Sequence, residues 1–467
     1  MSGGRLTGRL AGHLTGRLVL PVVLSATFAQ LLNVTVAQVA APAIQAGLGA
    51  GPGAVQLVLA GYTLTYACLL IPAARLGDRY GYRRLFVVGT VVFAAGSVAE
   101  ACAPDALSLI TARLVQGAGS GLVAPQVLSL IQATTPATHR PRALGLYGAT
   151  MAVASLAGPL IGGLVLSADL FGLGWRPVLL LTVPVALASL AGATALPRTR
   201  GADGLRVDKP GALLVTVGAG ALVLPLALGR EAGWPWWTWT CFAVAVAALG
   251  HFVRSLPHRP DPLIHPSVLR DRSARRGTLL VFVFNTGVPS FTYLLFLHLQ
   301  SAVGYSALAA ALTSAPFAAA AVAGSRAAPA LTRRYGPRVL TVTSLALAGM
   351  CLTLAPLIAS ATDHQTTLPL LPLLPVLAVG GAAFGAFTAS VFTLVLAGVH
   401  GPAAGSVSGL LPTAQQLGGS IGVTAAGLAY YAPAADAATA FRHAMLYQVA
   451  TFTITALISL RLRDGPG

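Results

Sequence analysis

The sequence predicts an all-α, polytopic membrane protein with 14 transmembrane helices, two six-helix bundles plus an inserted helix pair. Three observations predict it. Hydrophobic residues make up 55% of the 467 positions and charged residues 9%, where a soluble domain carries roughly 25% charged. The apolar residues fall into runs of about the 20 residues that span a bilayer core. The basic residues cluster in alternate breaks between those runs.

In chain order the runs are 18–44, 54–76, 84–102, 106–132, 143–168, 176–196, 210–229, 236–256, 277–300, 307–331, 338–361, 367–398, 404–430 and 438–461. Backbone in lipid must satisfy its own hydrogen bonds, so each run is a helix. The first follows Arg5, Arg9 and Arg17 yet continues past Asn33 and Gln38 without a cleavage signal. It therefore reads as a span and not as a secretory leader.

With a cytoplasmic N-terminus, the positive-inside rule places every basic residue on the inner side except Arg113, Arg176, Arg230 and Arg442. Losing one helix would invert every later loop, so the asymmetry also checks the helix count. Both termini are then cytoplasmic, and all five tryptophans, Trp175, Trp234, Trp236, Trp237 and Trp239, fall at the outer interface. The formal charge of +17, which in a soluble protein would point to nucleic acid, is here a record of topology.

The charged connections 197–209 and 257–276 isolate the helix pair 210–256. They leave a cytoplasmic N-terminus (1–17), an N-terminal bundle (18–196) and a C-terminal bundle (277–461). An internal echo supports a duplication: Leu76-Gly77-Asp78-Arg79-Tyr80-Gly81-Tyr82-Arg83 aligns with Leu331-Thr332-Arg333-Arg334-Tyr335-Gly336-Pro337-Arg338. The chain lacks HExxH, a Walker loop and paired intramembrane carboxylates, which argues against an enzyme or an ATP-driven pump. Cys68, Cys102, Cys241 and Cys351 stand singly within or beside apolar runs, without CxxC spacing; neither a metal, a cofactor nor a disulfide framework is expected.

Three motifs carry chemistry. In the loop after the second helix, Gly77, Asp78, Arg79, Gly81, Arg83 and Arg84 set one carboxylate among guanidiniums, a pattern that can make and break charge-assisted bonds as a gate. Arg113, with Gln116 one turn on, lies inside the fourth span, where an arginine costs at least about 2.5 kcal/mol unless paired. Its alternative role is structural, bonding backbone carbonyls to hold helices together. Gly158, Pro159, Gly162 and Gly163 give the fifth helix a small, kinked contact face.

These stretches resemble the cytoplasmic loop signature, the RxxQGxG motif and the exporter motif of the major facilitator superfamily. Gly174-Trp175-Arg176, Asp208-Lys209-Pro210-Gly211, Gly304-Tyr305-Ser306 and Gln415-Gln416-Leu417-Gly418-Gly419 are similar to the fourteen-helix drug:proton antiporter branch. Ala74 departs from the glycine with which the loop signature usually starts. The resemblance covers essentially the whole chain and implies a bacterial inner-membrane secondary transporter that exports amphipathic drugs, antibiotics or a natural product by alternating access. Its implied partners are a small-molecule substrate, protons and the lipid bilayer, with a monomer as the working state. A proton-independent facilitator and a non-transporting membrane sensor are the alternatives.

The first helix departs from that branch. Where the branch carries an aspartate, Leu32-Asn33-Val34-Thr35-Val36-Ala37-Gln38 has the amide Asn33, which cannot titrate. Of twelve acids, Asp78, Asp203, Asp208, Asp261, Asp271 and Asp464 fall in inner segments and Asp105, Asp169, Glu231, Asp363 and Asp436 in outer ones. Only Glu100 is placed within a span, near its outer end. The resemblance implies a role for Arg113, with Gln116, in proton transfer or in shaping the cavity; Glu100 and His298 are the candidates to carry the proton, and for each of these two the plainer reading is an interfacial polar residue. Gln30, Asn33 and Gln38 on the first helix and Asn285 and Tyr293 on the ninth are expected to line a substrate cavity.

Overall fold

The computed structural model describes residues 3–136, 138–198, 208–259, 262–264, 267–363, 370–397, 402–433 and 436–461, and among them the regular structure is entirely helical. Arg200, Asp203, Arg206, Asp261, Arg463 and Asp464 lie outside the described residues. The long helices are α1 (Gly3–Leu48), α2 (Pro52–Tyr80), α3 (Tyr82–Ala101), α4 (Ala106–Thr134), α5 (Arg140–Ser167), α6 (Arg176–Ala195), α7 (Lys209–Leu228) and α8 (Trp236–Ser255). They continue with α9 (Arg272–Ser301), α10 (Ala307–Tyr335), α11 (Arg338–Asp363), α12 (Leu370–Ala397), α13 (Pro402–Tyr430) and α14 (Ala437–Leu460). Among the described residues twelve of these are long and apolar enough to cross a membrane. α5 and α13, of 28 and 29 residues, have the length to do the same. The protein is a multi-pass membrane protein.

Polar residues at the turns decide where the helices begin. Asp105 accepts from the Ser108 backbone N–H at 2.8 Å and Ser108 returns the contact, a capping box that starts α4. Asp208, Asp271, Ser306 and Asp436 cap α7, α9, α10 and α14 more simply, each accepting from a first-turn backbone N–H. The expected continuous helix over 176–196 is instead broken at Leu181, beside Pro184, whose ring displaces the carbonyl four residues back.

Helix neighbours repeat with an offset of eight. In the first six, α4 packs on α2 and α3, α1 on α5 and α6, and α3 on α6; in the last six, α12 packs on α10 and α11, α9 on α13 and α14, and α11 on α14. The same glycine device serves two equivalent crossings. A Cβ on Gly117 or Gly121 of α4 would strike the backbone of Tyr62 or Tyr66 on α2, and a Cβ on Gly381 or Gly385 of α12 would strike that of Phe317 or Ala321 on α10. Each pair is spaced G-x-x-x-G, which lets backbones approach where lipid supplies no hydrophobic drive. The echo in sequence is an echo in geometry: Arg79 stacks over Tyr80 and Arg334 over Tyr335, both at 5.3 Å, and Gly81 and Gly336 follow with positive φ.

The α2–α3 loop marks an arginine end of the molecule, and Trp175 and Trp234 mark the opposite, tryptophan end. The two helix sets meet through α2 on α13 and α5 on α10, and hydrogen bonds between them fall in the tryptophan-end half. Gln38 donates to Pro289 O at 3.4 Å, Gln300 to Val39 O at 3.1 Å, and Ser420 to Ala60 O at 3.0 Å. On α10 the buried residues are Ala307, Ala310, Ala311 and Thr313 near that end, then only Gly324 and Ala328, so this helix is less covered toward the arginine end. α7 and α8 pack on each other, with α7 against α2 and α13. Their turn clasps the junction: Glu231 accepts from Gly53 N at 2.5 Å, at the start of α2, while Arg230 donates to the Tyr431 carbonyl just past α13. At the arginine end Asp208 and Arg259 pair, tying the connection that enters the helix pair to the one that leaves it.

Gly117→Ala and Gly385→Ala should each force a crossing apart and destabilise by about 1–3 kcal/mol. Both should show as a lower unfolding midpoint in detergent, whereas Gly250→Ala, where a Cβ meets open space, should leave it unchanged.

Candidate functional site

The site begins with a charge in the wrong solvent. Arg113 sits about two turns into α4 and is 1% exposed. Burial at that cost requires partners, and four helices supply them. Arg113 Nε donates to Val58 O on α2 at 3.0 Å, and Nη1 donates to Asn33 Oδ1 on α1 at 2.6 Å and to Gln116 Oε1 at 2.9 Å. Its guanidinium lies 4.9 Å from the Tyr62 ring centroid, a cation–π contact. Glu100 of α3 places Oε1 3.6 Å from Nη1.

The second layer fixes the first. Gln116 Nε2 donates to Ser97 Oγ at 2.7 Å, and Ser97 bonds Thr182 on α6 at 3.1 Å. Tyr62 Oη bonds Ser120 Oγ at 2.7 Å, and Gln30 Nε2 donates to Ser120 O at 3.4 Å. Glycines bring these groups into reach: Gly96 lets α3 rest on the backbone of Gln116, and Gly117 lets α4 rest on that of Tyr62. Asn33, Glu100, Gln116, Ser97, Ser120 and Thr182 are all fully buried. Above the network, Arg176 stacks on Trp175 and donates to Ala103 O at 3.2 Å, closing the α3–α4 hairpin at the tryptophan end.

This arrangement holds one fixed cation, one carboxylate and a set of neutral amides and hydroxyls in a dry interior. It has no nucleophile–base pair, and among the described residues no group of three metal-ligating side chains. Its capacity is to store, exchange and compensate charge. A model of the Major Facilitator Superfamily matches residues 23–423. The chain belongs to the major facilitator superfamily.

Relatives within this superfamily include a probable actinorhodin transporter of Streptomyces coelicolor, 36% identical over 90% of this chain and 73% of its own length. A cephamycin export protein of Amycolatopsis lactamdurans is 32% identical over 91% of this chain and 87% of its own. A puromycin resistance protein of Streptomyces alboniger is 33% identical over 86% and 80%. Among solved structures, an auto-inhibited POT family peptide transporter superposes with a TM-score of 0.69 at 14% identity, covering 96% of this chain and 97% of that one. The Escherichia coli xylose transporter XylE superposes at 0.64 with 15% identity, covering 97% and 100%. Both share the fold. Like its superfamily the chain is a transporter and not an enzyme.

The structure brings together Arg113, Gln116, Glu100, Asn33 and Gln30. Glu100 is fully buried within the protein, at the tryptophan end of α3, and faces Arg113. The structure sets His298 apart: the ring stacks on Phe441 at 4.4 Å and its Nδ1 bonds Tyr430 at 3.1 Å, fully buried among α9, α13 and α14. The residues expected to line a cavity are all buried. Gln38 bonds α9, Asn285 donates to Val281 O in its own helix at 2.8 Å, and Tyr293 is fully buried. In the exporter motif, Gly158 and Gly162 abut Thr35 and Val36 of α1, Gly163 abuts the backbone of Ala307 and Leu308 on α10, and Pro159 is buried within α5. In the loop, Asp78 accepts from Tyr82 Oη at 2.9 Å, Gly77 packs on Gln126, Gly81 turns the chain at φ 92°, and Arg79 and Arg84 are exposed with Arg83 half-buried.

Sequence reasoning missed Tyr62, Ser97, Ser120 and Thr182, since an uncharged hydroxyl in an apolar helix carries no signal of its own. Arg113→Ala should leave Glu100 buried without its counter-charge, costing about 3–5 kcal/mol, while the protein still inserts. Membrane fractionation and the unfolding midpoint in detergent check both parts.

Proposed function

We propose that this chain exports amphipathic small molecules, of antibiotic or natural-product type, across a bacterial cell membrane by alternating access driven by proton antiport. The observation that carries the reading is the closed tryptophan end. Gln38, Gln300 and Ser420 hydrogen-bond across the two helix sets there, while α10 is less covered toward the other end. The positive-inside rule makes the arginine end cytoplasmic, so the conformation is inward-facing and both termini lie inside. Fourteen spans follow, with residues 18–196 and 277–461 as the rocking bundles and 210–256 as the inserted pair. Rocking about a mid-membrane site then exposes substrate to either side. The Asp78 loop serves as the cytoplasmic gate and the Gly158–Gly163 face of α5 as the outer seal, in a monomer.

The relatives named for actinorhodin, cephamycin and puromycin support an exported antibiotic as the substrate class. Asn33 in place of an acid favours one second reading, a facilitator that moves substrate down its own gradient.

Deletion and overexpression should lower and raise tolerance to members of a panel of amphipathic antibiotics that includes puromycin, and unchanged susceptibility to all of them would overturn export. In proteoliposomes an imposed pH gradient should drive uptake of an affected compound. Flux indifferent to the gradient would leave the facilitator. Arg113→Ala should abolish the flux while insertion is retained.

A further inference from the structure

Glu100 is the only acid that the sequence places within a span, and its surroundings differ from those of a structural ion pair. Its carboxylate faces Arg113 at 3.6 Å, beyond hydrogen-bond reach, and neither oxygen has a hydrogen-bond donor among the described residues. Three of the five Arg113 donors go elsewhere, to Val58 O, Asn33 Oδ1 and Gln116 Oε1. All three acceptors are neutral. The guanidinium therefore keeps its hydrogen bonds whether or not Glu100 is ionised, and protonation removes only its counter-charge. An aspartate at position 33 would instead bind the guanidinium as a fixed charge pair.

We propose that Glu100 is the group that takes up and releases the transported proton, with Arg113, anchored by Asn33 and Gln116, as its stationary counter-charge. The proposal rests on the antiport reading and names the residue that performs it. The step is a protonation of one carboxylate oxygen by a proton from the outer solution and its return to the inner one, with no bond to carbon changed. Ionised, Glu100 neutralises Arg113; protonated, it leaves the buried site with a net positive charge, a difference between two states that a rocking bundle can follow. The titratable groups facing Glu100 are Arg113 on α4 and Tyr62 on α2. On α6, Thr182 reaches Ser97 of the same helix as Glu100, and Arg176 closes the hairpin above it. In the inward-facing conformation that Arg176–Trp175 cover lies on the outer side.

The test uses the full chain in liposomes, with pH-difference infrared spectra and gradient-driven ethidium and puromycin uptake measured on the same preparations. Wild type should show the carboxyl C=O band of a buried acid that appears and disappears with pH. Glu100→Gln should lose that band and the gradient-driven component while retaining gradient-independent substrate exchange. Glu100→Asp should keep a band and restore gradient drive with a displaced pH profile, which a purely structural carboxylate would not do. If the Gln variant fails to insert, the Asp profile and the wild-type spectrum decide. A titrating band that persists in Glu100→Gln, or gradient drive at the wild-type rate in that variant, would overturn the proposal. A Glu100 band together with wild-type transport of either probe that ignores the gradient would instead overturn the antiport reading.

Discussion

The burial of one guanidinium organises the N-terminal half of this protein. Arg113 inside a span is unaffordable without acceptors, and the acceptors lie on α1, α2, α3 and α4. Each has to arrive at a set distance, so the glycines at 96 and 117, the cap at Asp105 and the cover by Arg176 serve one local problem. Asn33, which removes a charge from α1, is also what lets Arg113 be satisfied by neutral groups. Charge balance is met from α3 instead, by Glu100. Asn33 and Glu100 thus divide the task, the amide on α1 accepting a hydrogen bond and the acid on α3 supplying the opposite charge.

The second bundle repeats the first in backbone but not in chemistry. Helix neighbours and the glycine-lined crossings recur eight helices later, down to the Arg–Tyr–Gly turn at each arginine end. Yet α9 to α14 carry no buried ion pair among the described residues, and their interior is aromatic: Phe284 stacks on Phe387 at 3.6 Å and lies 6.3 Å from Phe384, and His298 stacks on Phe441. Among the described residues the buried Arg113–Glu100 pair thus lies in the first six helices and these stacked aromatics in the last six. The helix pair α7–α8 bridges them at the closed end through adjacent residues of opposite charge, Glu231 on α2 and Arg230 on the end of α13.

Helix order, the packing face of α5 and the weight of Arg113 were legible in the sequence because each leaves a one-dimensional trace: apolar length, glycine spacing, a charge where none is expected. Glu100 was legible as an acid within a span but not as a buried partner. Its place one residue from the end of α3 points to an interface, and only the α3–α4 hairpin, sealed by Arg176 and Trp175 from a distant segment, makes it interior. Spacing likewise could not tell that Gln30, Gln38 and Asn285 bond to backbone, since an amide that packs and an amide that lines a cavity have the same pattern. The break in α6 was foreshadowed by Pro184, though length alone favoured one helix.

The central claim is that Arg113 and Glu100 form a coupled charge pair inside the membrane. The most direct measurement is a double-mutant cycle on the detergent unfolding midpoint, using Arg113→Met, Glu100→Gln and the two combined. The account predicts that each single change is costly, because it strands a buried charge, and that the double variant loses markedly less than the sum of the two. Losses that simply add would mean that the two groups do not sense each other, and would contradict it.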